Sequence, residues 1–217
     1  AMRVAVVAWE GDPLEPGGES GRHVADLARA LAGSGVDVHL FVHATERPAG
    51  GDPFPVHRLA AGEGDLLAAV SGFGASVARA LREEEERAGR PFDVLHVHDW
   101  TGAEALRELG DRAAGRTILT LHSIESERTA GRAWPMSAAI EAREQDAALR
   151  VDEVLVLSAA MKHRVADTYE IPDERVVWTR TPFPLERFAG RPADPGTIKG
   201  RYAVGPVDPM LLYLGPL

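Results

Sequence analysis

Short apolar runs that break off at glycine, proline or polar clusters constrain this 217-residue chain more than any other feature. Most of them are followed by a stretch in which apolar residues recur every three or four positions. The run over 2–8 is uninterrupted and largely β-branched, and it stops in a loop of Gly, Pro and acid over 10–20, as a strand buried on both faces does. From Gly21 onward Val24, Leu27, Ala28 and Leu31 fall at i, i+3, i+4 and i+7, and Gly33-Ser34-Gly35 supplies the stop. Further strand-like runs occupy 36–42, 56–59, 93–97, 117–121 and 153–157, with helical spacing over 64–88 and 103–109 and again after 121 and 157. Strands separated by helices predict an α/β fold, a doubly wound and mostly parallel sheet with right-handed crossovers, covered on both faces.

After Val176-Val177-Trp178 the chain turns proline-rich, with Pro182, Pro184, Pro192 and Pro195, and Asp194 is placed to cap a short helix that reaches Tyr202. The run over 210–214 is a fresh strand signal just before the last residue, Leu217. A lone parallel strand is not a stable unit. The expected organisation is therefore a first domain over 2–190, then a linker and the first strand of a truncated second domain over 191–217.

The charges exclude some partners. A formal net charge of −9 repels a phosphate backbone, so neither nucleic acid nor an anionic membrane is an expected partner. With no cysteine there is no disulfide, no thiolate nucleophile and no cysteine zinc site. No run approaches the roughly 20 apolar residues of a membrane span, and the run at 4–9 lacks the length of a secretory leader. A cytoplasmic protein is expected.

In an open parallel sheet, ligands sit beyond the carboxyl ends of the strands. Gly17, Gly18 and Gly21 follow the first strand, where glycine lets backbone N–H groups approach a phosphate or a sugar oxygen; a plain tight turn explains them equally well. His96-Val97-His98-Asp99-Trp100 ends the strand begun at Asp93, with His96 and His98 on one face and Asp99 and Trp100 at the loop entering the cleft. Three readings stand for it: a metal-dependent hydrolase using His96, His98 and Asp99, ordinary buried histidines, or an Asp-Trp pair that holds a sugar by hydroxyl hydrogen bonds and ring contact. His122-Ser123 closes the next strand and suits polar contact with a ligand or a helix-capping serine beside a structural histidine. The segment Ser126-Glu127-Arg128 to Arg132 can supply a cation to the same edge, or its arginines are exposed loop residues; Ser158 reads as a helix N-cap, Lys162 as solvent-facing, and the acidic run 83–86 as a solvated helix face.

The order of these elements resembles the N-terminal, Rossmann-like domain of retaining two-domain (GT-B) glycosyltransferases, the glycogen and starch synthase group of glycosyltransferase families 4 and 5. The pieces are Met2-Arg3-Val4-Ala5-Val6-Val7 before Gly17-Gly18, then Gly21-Arg22-His23-Val24-Ala25-Asp26-Leu27, the His98-Asp99-Trp100 strand end, Thr120-Leu121-His122-Ser123 and Val154-Leu155-Val156-Leu157-Ser158. Leu211-Leu212-Tyr213-Leu214-Gly215 is similar to the opening strand of such an enzyme's second domain.

The resemblance implies transfer of a hexose, glucose foremost, from a nucleotide-sugar such as UDP-glucose or ADP-glucose to an acceptor such as an α-glucan. The anomeric configuration is kept, and neither cofactor nor metal is needed. It implies His122 as the catalytic-site residue contacting the donor sugar. Gly17, Gly18, His98, Asp99, Trp100 and Ser123 are implied as substrate-binding residues, with Gly18 offering its backbone near the donor phosphates. The clamp on the leaving diphosphate belongs to the other half, which is the expected partner, so this half alone is expected to be inactive. Two departures stand out: Thr179-Arg180-Thr181-Pro182 where the group has Asn-Gly, and Gly215-Pro216-Leu217 where it has Gly-Arg-Leu. They keep a non-catalytic sugar-binding module open as an alternative.

Overall fold

Seven strands, β1 (Arg3–Ala8), β2 (Asp37–His43), β3 (Val56–Leu59), β4 (Val94–His98), β5 (Arg116–Leu121), β6 (Glu153–Val156) and β7 (Val176–Trp178), pair in parallel in the order β3-β2-β1-β4-β5-β6-β7. The helices between them are α1 (Glu19–Gly33), α2 (Leu66–Ala88), α3 (Asp99–Leu109), α4 (Glu125–Arg128), α5 (Ser137–Arg150) and α6 (Ala159–Tyr169). The doubly wound α/β class expected from the alternation is the class observed. The structure is a computed structural model and describes all residues but 15–16, 45–50, 111–114, 133, 181–189, 191–193, 212 and 214–217. The chain divides into two units, Ala1–Pro182 and Phe183–Leu217.

Inside the first unit the strands are apolar on both faces, as parallel strands between helix layers must be. Val4, Val6 and Ala8 of β1 pack with Val24 and Ala28 of α1 and Val38, Leu40 and Val42 of β2. Ala5 and Val7 face the larger core with Phe73 and Val77 of α2, Ala103 and Leu106 of α3, Leu119 and Leu121 of β5 and Ala147 of α5. The charged head of Arg3 is 1 % exposed at the amino end of β1. It is tolerated because every face has a partner: it donates to the carbonyls of Arg90 (3.0 Å) and Glu84 (3.2 Å) and lies 4.0 Å over the Phe92 ring. The acidic run at the end of α2 is therefore only partly a solvated face. Glu84 also lies 3.7 Å from Arg3, and Glu85 accepts the Phe92 N–H at 2.9 Å.

The largest correction concerns α3. The spacing predicts a helix over 103–109 with Asp99 and Trp100 in a loop, whereas both residues form its first turn. The chain reverses at one residue, Asp99, whose φ is +53°, and no loop intervenes between β4 and α3. Gly102 then lets the helix lie directly on β1, since a Cβ there would stand 2.8 Å from the Val7 carbonyl oxygen. Ser158 is the expected cap, accepting the Met161 N–H at 3.1 Å. Lys162 is not free in solvent: it pairs with Asp173 at 2.8 Å.

In the second unit, Asp194 accepts the Thr197 N–H at 2.9 Å and opens α7 (Pro195–Arg201), the short helix expected before Tyr202. Of the strand expected over 210–214, Met210, Leu211 and Tyr213 are described and carry no strand; residues 212 and 214 lie outside the described residues, as do Thr181, Pro182, Pro184, Pro192 and 215–217. No helix among the described residues is long and apolar enough to cross a membrane.

Replacing Gly102 by Ala is expected to cost about 1–3 kcal/mol, the usual price of overpacking, because the added methyl meets a sheet carbonyl. Urea unfolding of the variant checks this, and an unchanged midpoint would show that α3 does not depend on this close approach.

Candidate functional site

Three strand ends, those of β1, β4 and β5, open on one cavity of about 270 Å³, lined among others by Trp9, Glu10, His98, Asp99, Trp100, His122, Ser123 and Arg128. Their alignment follows from the ladders: Val7 pairs with Val97, and His98 with Thr120, so the residues just beyond each strand emerge side by side.

The β1 loop is held from several sides. Trp9 stacks on His43 with ring centroids 4.3 Å apart and meets the edge of Phe73 at 5.3 Å. Arg58 Nη2 of β3 donates to Asp12 at 2.9 Å, and Nη1 to Asp52 at 2.9 Å. Gly17 has a φ of +75°, and the Gly18 N–H donates to Glu10 Oε2 at 3.1 Å. The loop therefore directs the Gly18 N–H at its own carboxylate. Gly17 and Gly18 are not among the described residues lining the cavity, whereas Glu10, which the sequence did not single out, is.

At the β4 end, Asp99 Oδ1 accepts the His122 N–H at 2.9 Å, which ties the β4 and β5 ends together. Burial pushes the Asp99 carboxyl up to about 6, against the lowering effect of hydrogen bonds from the His122 and Ser123 backbone. His98 is fully enclosed, with Nδ1 3.1 Å from His122 Nε2. His96 stacks on His98 with centroids 4.4 Å apart, and its Nε2 is 2.7 Å from Thr120 Oγ1. His23, on α1, meets the His122 ring edge-on at 5.0 Å. His98 Nε2 and His23 Nδ1 are buried without a hydrogen-bond partner. Burial lowers His23, His96 and His122 to about 4 and His98 well below its ordinary value, so all four are neutral imidazoles near pH 7.

Arg128 forms the far wall. Its Nη1 donates to Ser123 O (3.0 Å) and Oγ (3.1 Å), and its Nη2 to Glu125 (3.0 Å) and to Glu144. Glu125 and Glu144 are themselves buried: Glu144 accepts from the Tyr169 hydroxyl and the Glu125 N–H (3.0 Å), and Glu125 from the Trp134 indole and Ser137 Oγ (2.7 Å). Burial raises Glu144. It works on Glu125 in the same direction, but the bonds from Ser137, Trp134 and Arg128 outweigh it and hold that carboxyl low. The guanidinium charge on the cavity wall is thus balanced from behind.

The geometry brings His98, Asp99, Trp100, His122 and Ser123 into one cavity and sets His96 aside beneath it. It gives no support to a hydrolase built on His96, His98 and Asp99, since the clusters of possible metal ligands among the described residues include neither His96 nor Asp99. His96 is engaged by Thr120, and Asp99 by the His122 backbone. Glu10, His23, Glu125 and Glu144 are additions; of these only Glu125, three residues before Arg128 on a helix, carries a local signal of pairing.

The family profile of Glycosyltransferase Family 4 matches residues 17–187. The chain is 28 % identical to a D-inositol 3-phosphate glycosyltransferase of Acidothermus cellulolyticus, over 99 % of this chain and 51 % of the relative. It is 29 % identical to a glycogen synthase of Mycobacterium tuberculosis, over 100 % of this chain and 54 % of the relative. It therefore spans about half the length of the curated relatives it matches. Among solved structures, a sucrose-phosphate synthase of Thermosynechococcus elongatus superposes with a TM-score of 0.70 at 17 % identity, covering 86 % of this chain and 49 % of that one, a likeness of fold. These similarities point to a glycosyltransferase and give no support to the hydrolase alternative.

The neutral histidines set a pH dependence. His23, His57, His96 and His122 have values near 4 when folded and 6.5 when unfolded. Between those limits the unfolded chain binds more protons, and stability falls as pH drops. Asp99, raised from 3.8 to about 6, binds its proton in the folded state over most of that window and offsets one histidine. Urea midpoints should decline from about pH 6.5 to about pH 4, with the imidazoles staying largely neutral by NMR down to about pH 5. A flat profile, or a His122 that titrates near its ordinary value, contradicts the buried cluster.

Proposed function

The chain belongs to glycosyltransferase family 4, and we propose that in the complete enzyme it forms the acceptor-side wall of a cleft where a hexosyl group, glucose foremost, passes from a nucleotide-sugar to a carbohydrate with retention of configuration. The observation that carries the reading is the convergence of Asp99, His122 and Ser123 with Trp9, Trp100 and Glu10 on one cavity at the carboxyl edge of the sheet. A polyhydroxylated ring is recognised by such a mixture: carboxylates and neutral imidazoles exchange hydrogen bonds with hydroxyls, and indoles cover the apolar C–H faces.

Each residue has a proposed task. His122, neutral and braced through His98, gives a hydrogen bond to the donor sugar next to the reacting carbon. Asp99 fixes the His122 backbone and presents its remaining carboxyl oxygen to an acceptor hydroxyl, with Ser123 and Trp100 beside it. Gly18, bonded to Glu10, shapes the entrance and approaches the donor phosphates only if that bond opens. A diphosphate leaving group needs positive charge, and this wall supplies none in excess, since Arg128 is matched by Glu125 and Glu144. The clamp is assigned to the other half of the enzyme, which makes this half inactive alone.

The two curated relatives are named for different acceptors, an inositol phosphate and a glycan. The balanced charge of Arg128 and the two further carboxylates, Glu10 and Asp99, favour a neutral acceptor, and we take an α-glucan as the first candidate. The reaction calls for no cofactor, and a chain without cysteine suits the reducing cytoplasm.

The complete enzyme, given UDP-glucose or ADP-glucose and a short α-glucan, should form an α-linked product, read as its first-formed anomer by proton NMR. His122→Ala should lower kcat by about 10²–10³-fold, the scale for loss of one preorganised hydrogen bond at a reacting centre. A β-linked product, or a variant as fast as the parent, would refute the assignment.

A further inference from the structure

The reaction proposed above uses His122 and, behind it, His98, but gives no task to the third imidazole, His23, that completes a cluster with them. His23 comes from α1, His98 from the end of β4 and His122 from the end of β5, and one ring nitrogen from each lies within 4.8 Å of the other two. We propose that His23, His98 and His122 form a binding site for a divalent transition cation of the zinc class, and that occupation of this site withdraws His122 from the sugar pocket.

The geometry is near that of a three-histidine site. Zinc holds imidazole nitrogens at about 2.0–2.1 Å, which places two tetrahedral ligands about 3.4 Å apart. His98 Nδ1 and His122 Nε2 are already 3.1 Å apart. Closing the third corner from the 4.8 Å limit takes a shift of at most about 1.4 Å, within the reach of a turn of the His23 ring on its helix.

His23 Nδ1 is buried with no hydrogen-bond partner, while His98, 2 % exposed, would ligate through the Nδ1 that now faces His122. An unsatisfied buried polar atom costs free energy, and a bound cation would offset part of that cost. Burial already favours the neutral imidazole that a metal requires, so binding needs no deprotonation near pH 7. The charged neighbours of the cluster are acidic, with Asp26 acting on His23 and Glu19 on His122. In the other cluster of this kind among the described residues, His39, His57 and Glu84, the carboxylate is already engaged by Arg3 and Arg87, which a cation would have to displace.

The binding part of this proposal stands on geometry alone; only its effect on transfer rests on the function proposed above. The test of binding is calorimetric titration of the 217-residue chain with Zn²⁺ near pH 7. One ion per chain is expected, with affinity reduced more than tenfold in His23→Gln, since loss of even an outer partner of a metal ligand costs about 10–100-fold. His57→Gln should bind as the parent does. Because a change in α1 could disturb folding, the parent alone gives a second reading: Zn²⁺ should shift the imidazole ¹⁵N resonances of His23, His98 and His122 and leave those of His39 and His57 in place. No saturable binding, or binding lost in His57→Gln and kept in His23→Gln, overturns the site. In the complete enzyme Zn²⁺ should inhibit transfer by the parent and spare His23→Gln. An enzyme that binds the ion as described but transfers no sugar would refute the function and leave the metal site standing.

Discussion

The site depends on register. In a parallel ladder each strand's last residue is placed by the pairing of every residue before it, and side chains alternate between faces with a period of two. His98 sits opposite Thr120 and Val7 opposite Val97. A slip of one residue between β4 and β5 would turn His98 to the other face and separate it from His122. The apolar fillers on both sheet faces, from Val4 and Val6 on one side to Ala5 and Val7 on the other, make such a slip costly. The core thus sets the relative positions of polar groups that it never touches.

Burying polar groups next to a cavity has to be compensated, and two solutions appear at opposite edges of the sheet. At the amino edge Arg3 is surrounded by carbonyls, a carboxylate and an aromatic face, so a single buried cation stitches α2 to the start of β1. At the carboxyl edge Arg128 is anchored by Glu125 and Glu144, which take further bonds from Tyr169, Ser137 and Trp134. A network this fully connected resists rearrangement, and removal of any one member leaves a charge or carboxyl stranded in low dielectric. Its effect on the site is to hold the Ser123 carbonyl and hydroxyl at fixed positions beside His122.

Most of the fold was legible because buried parallel strands must be short, apolar and bounded by breakers, and six of the seven strands of the sheet match the strand-like runs of the sequence to within a residue or two. The abrupt start of α3 was not. Helical spacing at Ala103, Leu106 and Leu109 extends back to Trp100, which packs with Val70 and Ile140, but the His-x-His-Asp strand run directly before it hides the start, and Asp99 itself adds no apolar position. His98, Asp99, Trp100, His122 and Ser123 could be picked out because strand ends in such a sheet are where ligands go. Glu10, His23 and Glu144 could not. Each is an ordinary polar residue on a loop or helix, and its importance arises from a partner 8 to 25 positions away or more, as with Gly18 for Glu10 and Tyr169 for Glu144. The run 83–86 erred the other way, since a charge-rich helix end looks solvated until Arg3 arrives beneath it.

The strand order also bears on how the molecule is made. β1 and β2 are in contact early, but the other side of β1 waits for β4, and Arg3 receives its Asp93 partner from 90 residues along the chain. On the ribosome, where β1 emerges before β4, Val4 to Ala8 present an open apolar edge for as long as the intervening residues take to synthesise. Such an edge is a template for pairing with a neighbouring nascent chain. Sequestration of that strand before β4 appears would then determine the yield of folded protein, independently of how stable the finished sheet becomes.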